Sequence, residues 1–260
     1  MNDLIDSVDL DKHPLADPRY RSHCRERLDL DGALVLRGFL TPEAVASVCR
    51  EGEAHQHRAY FSTQLHNAYL LPADPDLPGD HPRNREVTSS KGCITNDMIP
   101  ADSRLRQLYN SADFQDFLCS VLGEESLYPY ADPLSSINIH YARPGQELGW
   151  HFDNSSFAIT LMIQEPELGG NFEYVSAVRD ADRGEMRYEL VDKVLDGEIK
   201  PRVLAMDPGA LALFRGRNSI HRVAPVEGGR TRMLVVLAYN TLPGIALSET
   251  ARMTFYGRLQ

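Results

Sequence analysis

The chain has 260 residues, 27 Lys plus Arg against 37 Asp plus Glu, and a formal net charge of −10. With 42% hydrophobic and 25% charged residues, it has the composition of a globular protein able to bury one sizeable core. The acidic balance excludes a strongly basic nucleic-acid binder, no apolar run reaches the roughly 18–20 residues of a bilayer span, and the four cysteines (Cys24, Cys49, Cys93, Cys119) include no C-x-x-C pair.

Residues 1–30 are polar, with His13-Pro14 and Asp17-Pro18 expected to break any long element. The opening Met1 to Asp6 is acidic, unlike a signal peptide, and scattered cysteines suit a reducing compartment, so a cytoplasmic location is expected. Gly32 to Leu40 reads as a buried strand. Thr41-Pro42-Glu43 then supplies an N-cap and a first-turn proline for a helix running to about Arg50. The stretch 70–100, rich in Pro, Asp, Gly and Ser, is too long for an idle connection and predicts a lid or a partly disordered segment. Leu105, Leu108, Phe114, Phe117, Leu118 and Val121 fall at helical spacing, with a break near Ser111 and an end at Gly123.

From Ser135 the period changes. Short β-rich runs recur at Ser136–Tyr141, Phe157–Gln164, Asn171–Ser176, Val203–Met206, Ala210–Phe214 and Met233–Asn240, separated by Pro- and Gly-containing turns. Such spacing predicts a sandwich or barrel, with the charged segment 178–201 as an excursion between two of its strands. The expected organisation is a single catalytic domain, 1–260. Within it, residues 1–134 form helical and strand support with a lid, 135–245 form the β core, and 246–260 form a tail.

His13, His23, His55, His57, His66 and His81 lie in polar or Pro-rich surroundings and read as solvated or locally hydrogen-bonded. His151 and Asp153 differ: two residues apart on an extended chain, they point to the same side and can meet one cation. His221 follows the strand Ala210–Phe214. Two histidines and one carboxylate, with open positions opposite, form the ligand set of a non-haem Fe(II) oxygenase. Taken alone, H-x-D also describes a surface pair, and His221 a core histidine. Arg230 and Arg232 open the apolar run Met233–Leu237, where a guanidinium entering a barrel can hold a carboxylate in a fork. Alternation puts both on one face and does not choose between them. Tyr141 could reach the same carboxylate or be a buried core tyrosine.

The runs Ser136–Gly145, Trp150-His151-Phe152-Asp153, Leu168–Glu173, Pro208–Phe214 and His221–Arg232, in this order and spacing, resemble the Fe(II)- and 2-oxoglutarate-dependent dioxygenases. The resemblance implies a fold that is mainly β with α: a double-stranded β-helix (jelly-roll, cupin-like) core flanked by N-terminal helices. It implies Fe(2+) on His151, Asp153 and His221, with O2 as cosubstrate. The far carboxylate of 2-oxoglutarate would lie on Arg232, with Tyr141 assisting.

More narrowly, the Trp-His-Phe-Asp block, the strand Phe157–Gln164 and the tail Phe255–Arg258 resemble the branch of free amino acid radical hydroxylases and halogenases. That branch's halogenases carry glycine where this chain has Asp153. The resemblance therefore implies hydroxylation of an unactivated C–H bond, with a free amino acid or related amine as substrate and succinate and CO2 as coproducts. Trp150, Asn154, Asn240, Thr241, Phe255 and Tyr256 are the candidate substrate contacts. The alternatives are an oxygenase acting on a protein side chain and a non-catalytic metal-binding jelly roll. Neither a nucleic acid nor a membrane is an expected partner, and the expected state is a monomer or homodimer.

Overall fold

The computed structural model describes residues 4–260, so the first three residues of the acidic opening lie outside it. Its helices are α1 (Pro18–Asp31), α2 (Pro42–His55), α3 (Arg104–Asn110), α4 (Ala112–Leu122), α5 (Tyr188–Leu195) and α6 (Glu249–Tyr256). The strands of the first half are β1 (Ala33–Leu36), β2 (Tyr60–Asn67) and β3 (Glu86–Ile94). Those of the second half are β4 (Ile137–Ala142), β5 (Leu148–His151), β6 (Ala158–Gln164), β7 (Leu168–Gly169), β8 (Phe172–Val175), β9 (Arg202–Leu204), β10 (Leu211–Phe214), β11 (Ile220–Val223), β12 (Val226–Glu227) and β13 (Arg232–Leu237).

Local chemistry sets the helix ends. Thr41 accepts a hydrogen bond from the Ala44 amide and Pro42 occupies the first turn, as the sequence predicts, although α2 runs on to His55. The break near Ser111 is real: Ser111 ends α3 and caps α4 through the Phe114 amide, and Gly123 closes α4 in the left-handed conformation. Asp17-Pro18, expected to break structure, instead starts α1, with the Asp17 carboxylate accepting from the Arg19 amide. The same two-residue signature opens both α1 and α2.

Eleven strands form one antiparallel sheet in the order β1-β10-β6-β13-β4-β3-β5-β11-β8-β9, with β2 added on β3, while β12 and β7 pair separately. The core is thus mainly β, wrapped on itself as a double-stranded β-helix. Strands β1, β2 and β3 come from before residue 135, so the β core is not confined to 135–245. The stretch expected to be a lid or disordered contains β3, whose nine residues pair with β2, β4 and β5.

Alternation sorts the two faces of the sheet. Ile137, Ile139 and Tyr141 of β4, Ile159, Leu161 and Ile163 of β6, and Met233, Val235 and Leu237 of β13 pack outward in the main core. They meet Val48 of α2, Leu108 of α3 and Phe117 of α4 there. The opposite faces of these strands line an internal cavity of about 270 Å³. Among the described residues, no helix is long and apolar enough to cross a membrane.

Candidate metal centre and cosubstrate pocket

His151 ends β5 and His221 lies directly opposite it on β11, the two being register partners. Their ring centroids stand 4.2 Å apart. Asp153 follows β5 by two residues, and its Oδ1 lies 3.9 Å from His151 Nε2 and 3.5 Å from His221 Nε2. The three donors can therefore converge on one ion.

Each imidazole is oriented in the same way. His151 Nδ1 lies 2.7 Å from the Gly149 carbonyl and His221 Nδ1 lies 3.0 Å from the Ser219 carbonyl. A carbonyl only accepts, so each Nδ1 carries the proton and each Nε2 presents a lone pair to the centre. Burial, reinforced by His221, keeps His151 neutral well below the ordinary histidine range. Burial alone would raise the Asp153 carboxyl, but the neighbouring His221, His151 and Lys91 hold it below its usual value. Asp153 Oδ2 is buried and has no hydrogen-bond partner. A carboxylate whose Oδ1 faces two neutral, correctly oriented imidazoles, and whose other oxygen is left without a partner, fits a divalent cation such as Fe(2+).

The carboxylate also depends on what faces it. Gly216 passes so close that a Cβ there would overlap the Asp153 carboxylate, and the Gly216 carbonyl accepts from the Asp153 amide at 3.1 Å. Phe172 stacks on the His221 ring and Phe214 meets it edge-on. His66, expected to be solvated or locally hydrogen-bonded, is a half-buried neighbour of His151. Their rings meet edge-on at 6.1 Å, and His66 Nε2 lies 2.6 Å from Ser89 Oγ.

Arg232 and Arg230 separate cleanly. Arg232 is buried at the start of β13, on the same inward face as Leu234 and Val236, and its Nε and Nη2 have no partner. Burial pushes this guanidinium down to about 10. Two unpartnered donors in a buried fork fit a carboxylate. Arg230 precedes the strand, is exposed, and reaches only the Pro166 carbonyl. Residues 228–230 form a bend and β13 begins only at Arg232, so the strand alternation does not extend back to residue 230.

Tyr141 is corrected. It lies on the outward face of β4 and donates its hydroxyl to the Gly52 carbonyl at 2.7 Å, away from the cavity. The inward residues of β4 are Asn138 and His140. Of the candidate substrate contacts, Trp150 is buried in a separate apolar cluster beneath the Arg222 guanidinium. Asn154 and Thr241 are exposed, and Asn240 is tied to Tyr128 by a backbone bridge outside the cavity lining. Phe255 and Tyr256 do approach. They wall a side chamber of about 200 Å³, which shares Lys91, Tyr130, His140, Val236 and Ala238 with the metal cavity. Sequence reasoning missed Lys91 and His140. His140 alternates with the outward apolar residues of β4, a signal visible once that strand is phased, whereas Lys91 stands between Ser90 and Gly92 and had no such signal.

No curated protein matches the chain. Among solved structures, it is similar to a 2OG-Fe(II) oxygenase family oxidoreductase from Burkholderia pseudomallei at 15% identity, covering 86% of this chain and 92% of that one with a TM-score of 0.53. The epimerase SnoN from nogalamycin biosynthesis, described as non-heme and alpha-ketoglutarate dependent, is similar at 11% identity, with 86% and 81% covered and a TM-score of 0.59. A prolyl hydroxylase from Trichoplax adhaerens, solved with a hypoxia inducible factor peptide, is similar at 15% identity, with 85% and 89% covered and a TM-score of 0.54. At these identities, the likenesses establish the jelly-roll fold of the 2-oxoglutarate- and iron-dependent oxygenases. The Halogenase D family model matches residues 80–252, well over half of the sequence and the part that contains the His-Asp-His centre and Arg232, and the chain therefore belongs to the Halogenase D family.

Proposed function

We propose that the protein hydroxylates an unactivated C–H bond of a small molecule, using Fe(2+), 2-oxoglutarate and O2 and releasing succinate and CO2. The single observation that carries this reading is the convergence of His151, His221 and Asp153 on one point, with the buried, unpartnered Arg232 guanidinium at the start of β13. Iron(II) held by the three side chains would supply oxygen activation coupled to the decarboxylation of 2-oxoglutarate.

The chain's own residues then have definite tasks. The Gly149 and Ser219 carbonyls fix the imidazole tautomers, and Gly216 leaves room for the Asp153 carboxylate. Arg232 holds the far carboxylate of the cosubstrate. Phe157, Phe172, Phe214 and Leu234 wall the cavity and exclude water from the reacting carbon. The family name denotes halogenation, but Asp153 fills with a carboxylate the ligand position that a halide would need, which favours hydroxylation. A cavity of only about 270 Å³ favours a small substrate over a peptide.

The test is anaerobic reconstitution with Fe(II) and 2-oxoglutarate, then aerobic screening against small organic acids, amines, amino acids and peptides. Substrate-stimulated succinate release with a singly oxygenated product is the expected result. Iron binding without any 2-oxoglutarate turnover would overturn the reading in favour of a non-catalytic metal protein, and turnover coupled only to peptides would overturn the small-molecule assignment.

A further inference from the structure

We propose that Lys91 and His140 form an anion-binding subsite for the substrate, and that the substrate is a small carboxylate-bearing molecule with an apolar body. This rests on the iron and 2-oxoglutarate reading above and narrows its substrate.

Lys91 lies in the middle of β3 and projects into the cavity, where it makes no ion pair with a carboxylate among the described residues, although Asp153 acts on it at longer range. Its neighbours are His140, with ring nitrogens at 3.2 Å and 3.3 Å, and the face of the Phe255 ring at 5.7 Å. An ammonium has three donors, and a neutral imidazole can accept one of them. His140 is held neutral by burial, with Lys91 and Arg232 adding to the effect. While one of its nitrogens accepts from Lys91, the other carries an N–H that can be offered to the same anion. The pair thus presents several unsatisfied donors and no free acceptor.

The lining points the same way. Asp153 is the only carboxylate lining either chamber among the described residues, and the metal ion of the proposed reading would engage it. An anionic group on the substrate would therefore meet the donors of Lys91 and His140 with no second carboxylate to repel it. Much of the remaining wall is apolar, with Phe157, Ile159, Phe172, Phe214 and Val236, and suits a hydrocarbon body.

The subsite adjoins the cosubstrate's, since Arg232 acts electrostatically on His140, but it is built from different residues. Arg232 sits beside Gly170, where an added Cβ would lie 3.2 Å from Arg232 Cδ. Lys91 instead stands at the junction of the metal cavity and the chamber under α6.

The test uses full-length protein loaded anaerobically with Fe(II), with and without saturating 2-oxoglutarate. Hexanoate and hexylamine, matched in length and opposite in charge, are the probes, titrated by calorimetry. Hexanoate should bind and hexylamine should not. Lys91→Met should weaken hexanoate about ten- to a hundredfold, leave 2-oxoglutarate affinity unchanged and retain the melting temperature. Lys91→Arg should restore hexanoate binding. Equal or preferred binding of hexylamine, no hexanoate binding to the wild type, or an unaltered Lys91→Met variant would overturn the proposal. So would a loss of 2-oxoglutarate affinity in Lys91→Met, because Lys91 would then belong to the cosubstrate site. Failure of 2-oxoglutarate to bind the metal-loaded wild type would count instead against the iron and 2-oxoglutarate reading. The Lys91 comparison without cosubstrate would still decide the subsite.

Discussion

At the scale of single residues, the centre depends on groups that are not ligands. Gly216 contributes no side chain, yet only a hydrogen in place of a Cβ leaves room for the Asp153 carboxylate. Gly216→Ala should lower iron affinity about 10–100-fold while far-UV circular dichroism stays native; unchanged iron content would show that the carboxylate is free to move. On the proposed reading, Asp153 would also decide which ligand completes the coordination shell. The wild type should give only hydroxylated product in high chloride, and Asp153→Gly, with two imidazoles left, should turn over slowly and yield traces of halogenated product. Mass spectrometry decides: chlorinated product from the wild type would refute the hydroxylase reading. A third contrast separates Arg232 from Tyr141. Arg232→Ala removes a buried, otherwise unpartnered fork and should raise the 2-oxoglutarate requirement about ten- to a hundredfold. Tyr141→Phe loses only an outward hydrogen bond to Gly52, so its effect should fall on stability, at about 1 kcal/mol, and not on the cosubstrate.

At the scale of elements, one layer of helices braces the outer face of the sheet that bears Arg232. Phe117 of α4 is fully buried there and stacks with Tyr20 of α1 at 6.1 Å. Phe117→Ala should destabilise the fold by about 3–5 kcal/mol, as denaturant unfolding would report, while iron stoichiometry in the folded protein stays the same. Elements such as α4 were legible in the sequence because their apolar period is unambiguous and Ser111 and Gly123 mark the ends. The candidate metal centre was legible because one H-x-D and one later histidine stand beside recognisable strands, and the fold brings the three together. What escaped did so for physical reasons. Asp17-Pro18 punctuates a helix start as strongly as a break, and α1 exposes most of its polar surface, so no apolar stripe announced it. Strand β3 carries Ser89 and Lys91 toward the site and Ser90 beside its neighbour, and a strand with polar residues on a functional face looks like a loop. The phase of β4 was readable, since Tyr141 alternates with Ile137 and Ile139 on the apolar side. The strand start at Arg232 was not, because it depends on the backbone of the preceding turn.

At the scale of the whole molecule, the candidate site is a tie between distant parts of the chain. His151 and His221 lie on the neighbouring strands β5 and β11, whereas Arg232 lies on β13, two strands beyond β3 in the sheet order. A metal ion alone links β5 to β11. A 2-oxoglutarate molecule held at one end by that ion and at the other by Arg232 would also span the cavity to β13. Ligands that bind only the native state stabilise it by about 2.7 kcal/mol at one hundred times the dissociation constant, or roughly 5–10 °C in melting temperature for a chain of this size. Anaerobic Fe(II) should therefore raise the melting temperature, 2-oxoglutarate should add a second increment only when metal is present, and a chelator should reverse both. His221→Ala should lose both increments. Arg232→Ala should keep the metal increment and lose the cosubstrate one, because the metal end of the tie remains while the β13 end is gone. A full 2-oxoglutarate increment in Arg232→Ala, or in metal-free protein, would mean that the cosubstrate lies elsewhere in the barrel and that the buried fork serves another anion.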